Sequence, residues 1–222
     1  MQIAGSTVLV TGASRGLGKS LVEGALRQGA KRIYAGVRQS FVHADKRVTP
    51  LTLDVTSAAQ IRAAVGQVDA LDILINNAGI SLQNDLRDRA ALDRLLAVNL
   101  FGTYDVTQAF LPVLARPRSA IVNILSLAGL AAVPFDSLYS ISKAATFSLS
   151  QSLRALLAGG GVSVHVVLPG PIDTVWYEAW IFRRPLRSLS PKQSSMAWKM
   201  ARRKSSPTRC LRRSQTAGAA VP

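Results

Sequence analysis

Cysteine is nearly absent from this 222-residue chain: the only one is Cys210. No disulfide can form within it, which suits a reducing compartment such as the cytoplasm. No uninterrupted apolar run approaches the ~20 residues that a membrane span needs, so no membrane partner is expected. The opening Met1–Gly5 has no basic flank and no cleavage-like site, against a signal peptide. The two histidines, His43 and His165, have no neighbours at metal-ligand spacing, so no metal is expected and both read as structural. Acidic residues are scarce at one end only. Residues 1–174 hold 16 Lys/Arg against 11 Asp/Glu, whereas residues 175–222 hold 11 basic residues and one acid, Glu178. The formal charge of +15 therefore misdescribes the body of the protein, which has an ordinary balance.

What is present is apolar and periodic. Hydrophobic residues make up 48% of the chain, enough for a full core in one domain of this length. Short runs rich in Val, Ile and Leu predict strands near Thr7–Val10, Arg32–Ala35, Thr49–Leu53, Asp72–Ile75, Ala120–Leu125 and Ser163–Leu168. Helical patterns fall between them, near Gly16–Gln28, Ser57–Val65, Leu86–Val98, Thr103–Leu114 and Leu138–Leu157. Such alternation predicts an α/β fold, a doubly wound parallel sheet in a single domain over residues 1–174. Its ligands would sit beyond the carboxyl ends of the strands.

The first strand runs into Thr11-Gly-Ala-Ser-Arg-Gly-Leu-Gly18 and then a helix, the arrangement a dinucleotide pyrophosphate needs. Gly12 permits the sharp turn, Gly16 lets backbone N–H groups approach a phosphate, and Gly18 allows close helix–strand packing. Steric need alone also produces glycine-rich turns, so the turn gains meaning only from the motifs downstream of it. Tyr139-Ser-Ile-Ser-Lys143 sets a phenol and an ammonium four residues apart on one helix face. A free tyrosine titrates near ~10, and a cation beside it favours the phenolate, by an attraction on the order of 4 kcal/mol before desolvation. That would lower the phenol towards the range useful for proton transfer. A chance pair on a half-exposed helix is the plain alternative. Ser126, just past a strand and 13 residues before Tyr139, offers a hydroxyl to a substrate oxygen. Asn76-Asn-Ala-Gly79 ends another strand, and Asn99 interrupts an apolar helical pattern, where a buried amide needs partners.

Taken together, these motifs resemble the short-chain dehydrogenase/reductase family: Thr11, Gly12, Gly16 and Gly18; Asn76–Gly79; Asn99; Ser126; Tyr139 with Lys143; and Pro169, Gly170 and Thr174. The resemblance implies hydride transfer between a nicotinamide cofactor and a small carbonyl or alcohol. It implies that Tyr139 exchanges a proton with the substrate oxygen, Ser126 orients that oxygen, Lys143 holds the nicotinamide ribose, and Asn99 holds a water in the proton relay. The cofactor-binding set it implies is Gly12, Ser14, Arg15, Gly16, Leu17, Gly18, Arg38, Asp54, Val55, Asn77, Ala78, Gly79, Tyr139, Lys143, Pro169, Gly170, Ile172 and Thr174. By the same resemblance, Asp54 would contact the adenine. The resemblance also implies homo-oligomers through the long helices.

Arg38 stands where an acid would accept the ribose 2′-hydroxyl of NAD, and Arg15 lies in the turn itself. Two guanidiniums suit a 2′-phosphate, so the expected cofactor is NADP(H) rather than NAD(H). Solvated loop arginines are the alternative.

The end of the chain departs from the family. Residues 183–214 contain no acid and no recognisable strand, and all three tryptophans fall after residue 174. The family's last strand is expected to be missing and residues 175–222 to form a basic, irregular tail. Binding of nucleic acid or anionic membrane by this tail is the weaker reading, and no nucleic-acid partner is expected. A shifted reading frame is another: codons can be chosen for Arg202–Cys210 that, read two bases on, spell Glu-Glu-Ile-Phe-Pro-Asp-Pro-Met. A chain so altered would bind cofactor but turn over poorly.

Overall fold

Alternate side chains of each strand point to opposite faces, and both faces of this sheet are apolar. The computed structural model describes residues 2–39, 41–82, 86–114 and 119–170. Six strands form: β1 (Thr7–Thr11), β2 (Arg32–Val37), β3 (Val48–Thr52), β4 (Ile73–Asn76), β5 (Ala120–Ile124) and β6 (Ser163–Val167). They lie in the order β3-β2-β1-β4-β5-β6, and every pair is parallel. Along β1, Val8 and Val10 enter one apolar layer and Leu9 the other. A sheet buried on both sides reads as continuous Val/Ile/Leu runs, which is why the strands were legible to within one or two residues.

On one face, α1 (Gly16–Arg27) buries Val22, Ala25 and Leu26 against Val8, Val10, Ile33 and Ile75. On the other, α2 (Ala58–Val65), α4 (Thr103–Leu114) and α5 (Ser137–Leu157) bury Ile61, Phe110 and Leu153 against Leu9, Leu74 and Ile121. The doubly wound, Rossmann-like arrangement is thus present. Ser57 caps α2, accepting from Gln60 N at 3.3 Å, and Asp88 caps α3 (Arg89–Leu96), accepting from Ala91 N at 2.8 Å.

One expectation needs correction. The helices read as Leu86–Val98 and Thr103–Leu114 are joined: α3 passes through a π-helical turn, Ala97–Gly102, directly into α4. The wider turn inserts one residue into the helical ladder, a feature common at functional sites, and here it holds Asn99. No described helix is long and apolar enough to cross a membrane. The boundary at residue 174, the missing last strand and the basic tail all fall outside the described residues.

Candidate active site

At the carboxyl end of β1, Gly12 and Gly16 adopt φ of +66° and +53°, where an L side chain is strained. A Cβ on Gly12 would come within 2.9 Å of Ala78 Cα, and one on Gly18 would overlap the Gly12 carbonyl oxygen and lie 2.7 Å from Asn77 Nδ2. Gly12 and Gly16 thus take left-handed backbone, a Cβ at Gly16 would meet nothing within 4 Å, and Gly18 is where α1 comes closest to the loop. α1 starts after Arg15 with no side-chain cap, so its first N–H groups have no intrahelical acceptor and face outward.

The segment after β4 locks this turn. Asn77 N and Ala78 N both donate to Thr11 Oγ1 at 3.0 Å, and Asn77 Nδ2 donates to Thr11 O at 2.9 Å and Gly12 O at 3.2 Å. The Asn77 side chain is thus committed to the loop. We expect Gly18→Ala to lower the unfolding free energy by about 1–3 kcal/mol, measured in urea. Gly24→Ala, in the same helix, is the control: its methyl would meet only the Arg27 side chain, at 3.8 Å, and should stabilise by roughly 0.5–1 kcal/mol.

The next contact leads to the candidate catalytic groups. A Cβ on Gly79 would lie 3.2 Å from Asn99 Oδ1 and 3.4 Å from Lys143 Nζ, so glycine is what lets these two approach the loop. Asn99 is 1% exposed. Its Oδ1 accepts from Ile80 N, and its Nδ2 donates to Ile80 O and to Ser142 Oγ, each at 2.9 Å. Its backbone carbonyl accepts from Thr103 and Thr146 hydroxyls at 2.9 and 3.0 Å. The expectation that a buried amide there is networked holds. Deeper in the sheet, Asn76 Nδ2 donates to Thr107 and Asn123, and Asn123 to Ser150, pinning α4 and α5 to β4 and β5.

Ser126 follows β5 and opens a short 3₁₀ turn, Leu127–Gly129, where its Oγ accepts from Ala128 N at 3.1 Å. That turn packs so closely on α5 that a Cβ at Gly129 would lie 3.0 Å from the Lys143 carbonyl. The Ser126 hydroxyl is thereby brought near enough to the Tyr139 phenol to favour its charged form. Lys143 is 5% exposed, donates to Ile124 O at 3.2 Å, and has its Nζ 5.6 Å from the Tyr139 ring centroid.

The electrostatics differ from the sequence expectation. Burial pushes the Tyr139 phenol above its usual value; Ser126 lowers it and Asp136 raises it further. Lys143 is not among the groups that shift the phenol: its Nζ donates to the Ile124 carbonyl, and burial lowers its own pKa to about 8, which leaves it mostly charged at neutral pH.

Pro169 O accepts from Leu127 N at 3.1 Å, setting Pro169 and Gly170 beside Ser126; Ile172 and Thr174 lie outside the described residues. Asp54 accepts from Thr56 N and Oγ1 at 2.9 and 2.7 Å, which lowers its pKa, with a small contribution from Arg38. Val55 is buried against Gly102. Ser14, Arg15 and Arg38 are exposed and Leu17 half-buried. His43 meets Glu23 at 3.2 Å and His165 meets Ser163 at 3.0 Å, both away from this cluster in sequence and contacts. Asp136 and Ser81, hydrogen-bonded at 2.7 Å, escaped the sequence reading. The one signal was an aspartate placed directly before a long helix.

The family model for short chain dehydrogenases matches residues 6–181. Ketoacyl reductase HetN of Nostoc sp. (strain PCC 7120) is 35% identical over 186 residues, 77% of this chain and 65% of its own length. A dehydrogenase/reductase SDR family protein 7-like of Anopheles gambiae is 37% identical over 77% of this chain and 60% of its own length. This chain therefore spans somewhat under two thirds of those two relatives. The crystal structure of a short chain dehydrogenase from Burkholderia cenocepacia J2315, in complex with NADP, superposes with a TM-score of 0.78 at 38% identity, covering 83% of this chain and 79% of that one.

Proposed function

The chain belongs to the short-chain dehydrogenase/reductase family, and on that premise we propose that it is an NADP(H)-dependent oxidoreductase acting on a small carbonyl or alcohol through Ser126, Tyr139 and Lys143. The observation that carries the reading is the convergence of a hydroxyl, a phenol and a buried amine at the carboxyl rim of the sheet, linked through Gly79 and Asn77 to the glycine turn.

The residues present fit a dinucleotide. Gly12, Gly16 and Gly79 leave space that a Cβ would fill or strain, and the uncapped start of α1 offers N–H groups and a positive dipole end to a diphosphate. Arg15 and Arg38 are exposed near that start and suit a 2′-phosphate; the NADP bound by the Burkholderia protein supports the same choice. When bound, NADP(H) supplies or accepts the hydride.

The chain's own groups then handle the oxygen. The Ser126 lone pair is engaged by Ala128 N–H, which leaves the Ser126 proton to be donated to a substrate oxygen. Tyr139, with its pKa raised, keeps its proton at neutral pH and delivers it as the carbonyl is reduced. Lys143, with one backbone acceptor described, has further N–H groups for a ribose hydroxyl. Asn99 holds Ile80 and Ser142 in place around them.

NADPH consumption across a panel of aldehydes, ketones and quinones, measured beside NADPH binding, tests the reading. Binding with no turnover for any carbonyl would leave the second reading, a cofactor-binding protein without activity. That reading is favoured by the family match ending at residue 181 and by the acid-free segment 183–214. For cofactor choice, we expect Arg38→Asp to cut the preference for NADPH over NADH at least about 10-fold, since hydrogen bonds to charged groups contribute ~1.5–3 kcal/mol. Residues 1–174 would form the working unit. Exposed Phe101, Tyr104 and Ile141, on the π turn, α4 and α5, support association of copies through those helices.

A further inference from the structure

Asp136 stands at the N-cap of α5 and does not cap it. Its φ and ψ are −142° and 51°, and its side chain accepts no N–H from the first turn. An aspartate there ordinarily does so, for ~1 kcal/mol. The carboxylate is turned instead to the segment after β4, where Oδ2 accepts from Ser81 Oγ at 2.7 Å. Oδ1 is buried with no partner among the described residues. The backbone is held in this pose: the Asp136 carbonyl accepts from Ser140 Oγ at 3.0 Å, and the same Oγ accepts from Val133 N at 3.0 Å. Three residues along the helix, on the same face, is Tyr139.

A forgone cap and an orphaned carboxylate oxygen both cost stability. Local rules are broken in this way mainly where a group serves a site. Among the described residues, Ser81 pairs with the Asp136 carboxylate and Tyr139 feels its charge; around the Tyr139 ring stand Lys143, from α5, and Ser126, just after β5, while Arg87 is exposed further along the segment after β4. We propose that Asp136 is a positioning residue for Tyr139: it ties the segment after β4 to the first turn of α5 and holds a negative charge against the phenol, so that Tyr139 keeps its proton into alkaline solution. This rests on Tyr139 being the proton donor.

The direction follows from the charge. A carboxylate beside a phenol disfavours the phenolate, as the raised value of Tyr139 reflects in part. Carbonyl reduction needs the protonated phenol and fades as pH rises through its titration. Removing the negative charge brings that fading to lower pH.

The test compares the full-length chain with Asp136→Asn, which keeps the size of the side chain and an acceptor for Ser81. Two readouts are taken: the pH profile of kcat/KM for NADPH-dependent reduction, and the phenolate absorbance titration of Tyr139, obtained as the difference from Tyr139→Phe. The titration needs no turnover. In Asp136→Asn the alkaline limb and the phenolate titration both move to lower pH, and activity on the wild-type limb drops about 3- to 10-fold. Ser81→Ala, which removes the tie and leaves the charge, lowers kcat at neutral pH about 3- to 10-fold with the alkaline limb in place. An Asp136→Asn titration superimposable on the wild type overturns the proposal, as does a Ser81→Ala enzyme with wild-type kcat. Tyr139→Phe with undiminished turnover overturns instead the reading on which it rests.

Discussion

Carbonyl reduction by Tyr139→Phe falls about 10³-fold in kcat/KM, while NADPH binding changes less than about 3-fold. The factor lies within the ~10²–10⁴ that a positioned proton donor contributes. Phenylalanine retains the ring that packs against the Ala91, Leu95 and Leu138 cluster and the centroid over which Lys143 sits. Only the hydroxyl facing Ser126 is lost, so a fold defect cannot account for lost turnover. Steady-state kinetics with NADPH, paired with fluorescence titration of the cofactor, separates the two effects. A variant that lost binding and turnover together would place Tyr139 in cofactor binding alone.

Lys143→Met should split function from stability in the opposite direction. Burial lowers the Lys143 pKa from 10.5 to about 8, so the folded state disfavours the charged form that the unfolded chain carries. The shift corresponds to about 3 kcal/mol of destabilisation. The unfolded chain binds more protons between pH 8 and 10.5, so stability rises with pH through that window, and the full penalty is present below about pH 8. Methionine has a similar shape and no charge. Allowing ~1 kcal/mol for the lost hydrogen bond to Ile124 O, the cofactor-free variant gains about 2 kcal/mol near neutral pH. Above pH 10.5, where no penalty is left to relieve, only the lost hydrogen bond remains and the variant is about 1 kcal/mol less stable than the wild type. Turnover drops at least about 100-fold, because no amine remains beside the loop at Gly79 to hold the cofactor ribose in place. Urea unfolding at neutral and alkaline pH checks the first statement, and NADPH oxidation checks the second. Equal stability of the two proteins at neutral pH would show that the Lys143 amine is not held at a cost.

These two outcomes describe one design: a site that gives up stability to bring a phenol and an amine together. The amine is buried because the 3₁₀ turn at Leu127–Gly129 closes over α5 and because Gly79 and Gly129 lack side chains that would hold the layers apart.

Most of that site could be read from residue order. Strand positions followed from Val/Ile/Leu runs, since a strand buried on both faces is apolar throughout, and helix starts followed from glycine and polar flanks. The glycine turn, Ser126 and the four-residue step from Tyr139 to Lys143 are local patterns, and local geometry places them. Other features depended on partners far along the chain. Asn77 reads as a cofactor residue, and the bonds of its side chain to the Thr11 and Gly12 carbonyls, 66 and 65 positions away, could not be read from its own neighbourhood in sequence. The π turn around Asn99 reads as a break between helices, because an inserted residue advances the 3.6-residue pattern by about 100° and interrupts it.

What the order of residues determined by itself was therefore the alternation of strands and helices, the sheet's parallel character and the identity of the groups at its carboxyl rim. These rest on periodicity, on backbone freedom at glycine and on spacing along one helix. Tertiary structure alone decided the titration and alliances of those groups: Lys143 lowered to about 8, Tyr139 raised rather than lowered, and Asp136 drawn from its helix cap to Ser81. The physical reason is that desolvation and hydrogen-bond competition depend on which surfaces meet, and those meetings join elements that lie far apart in sequence.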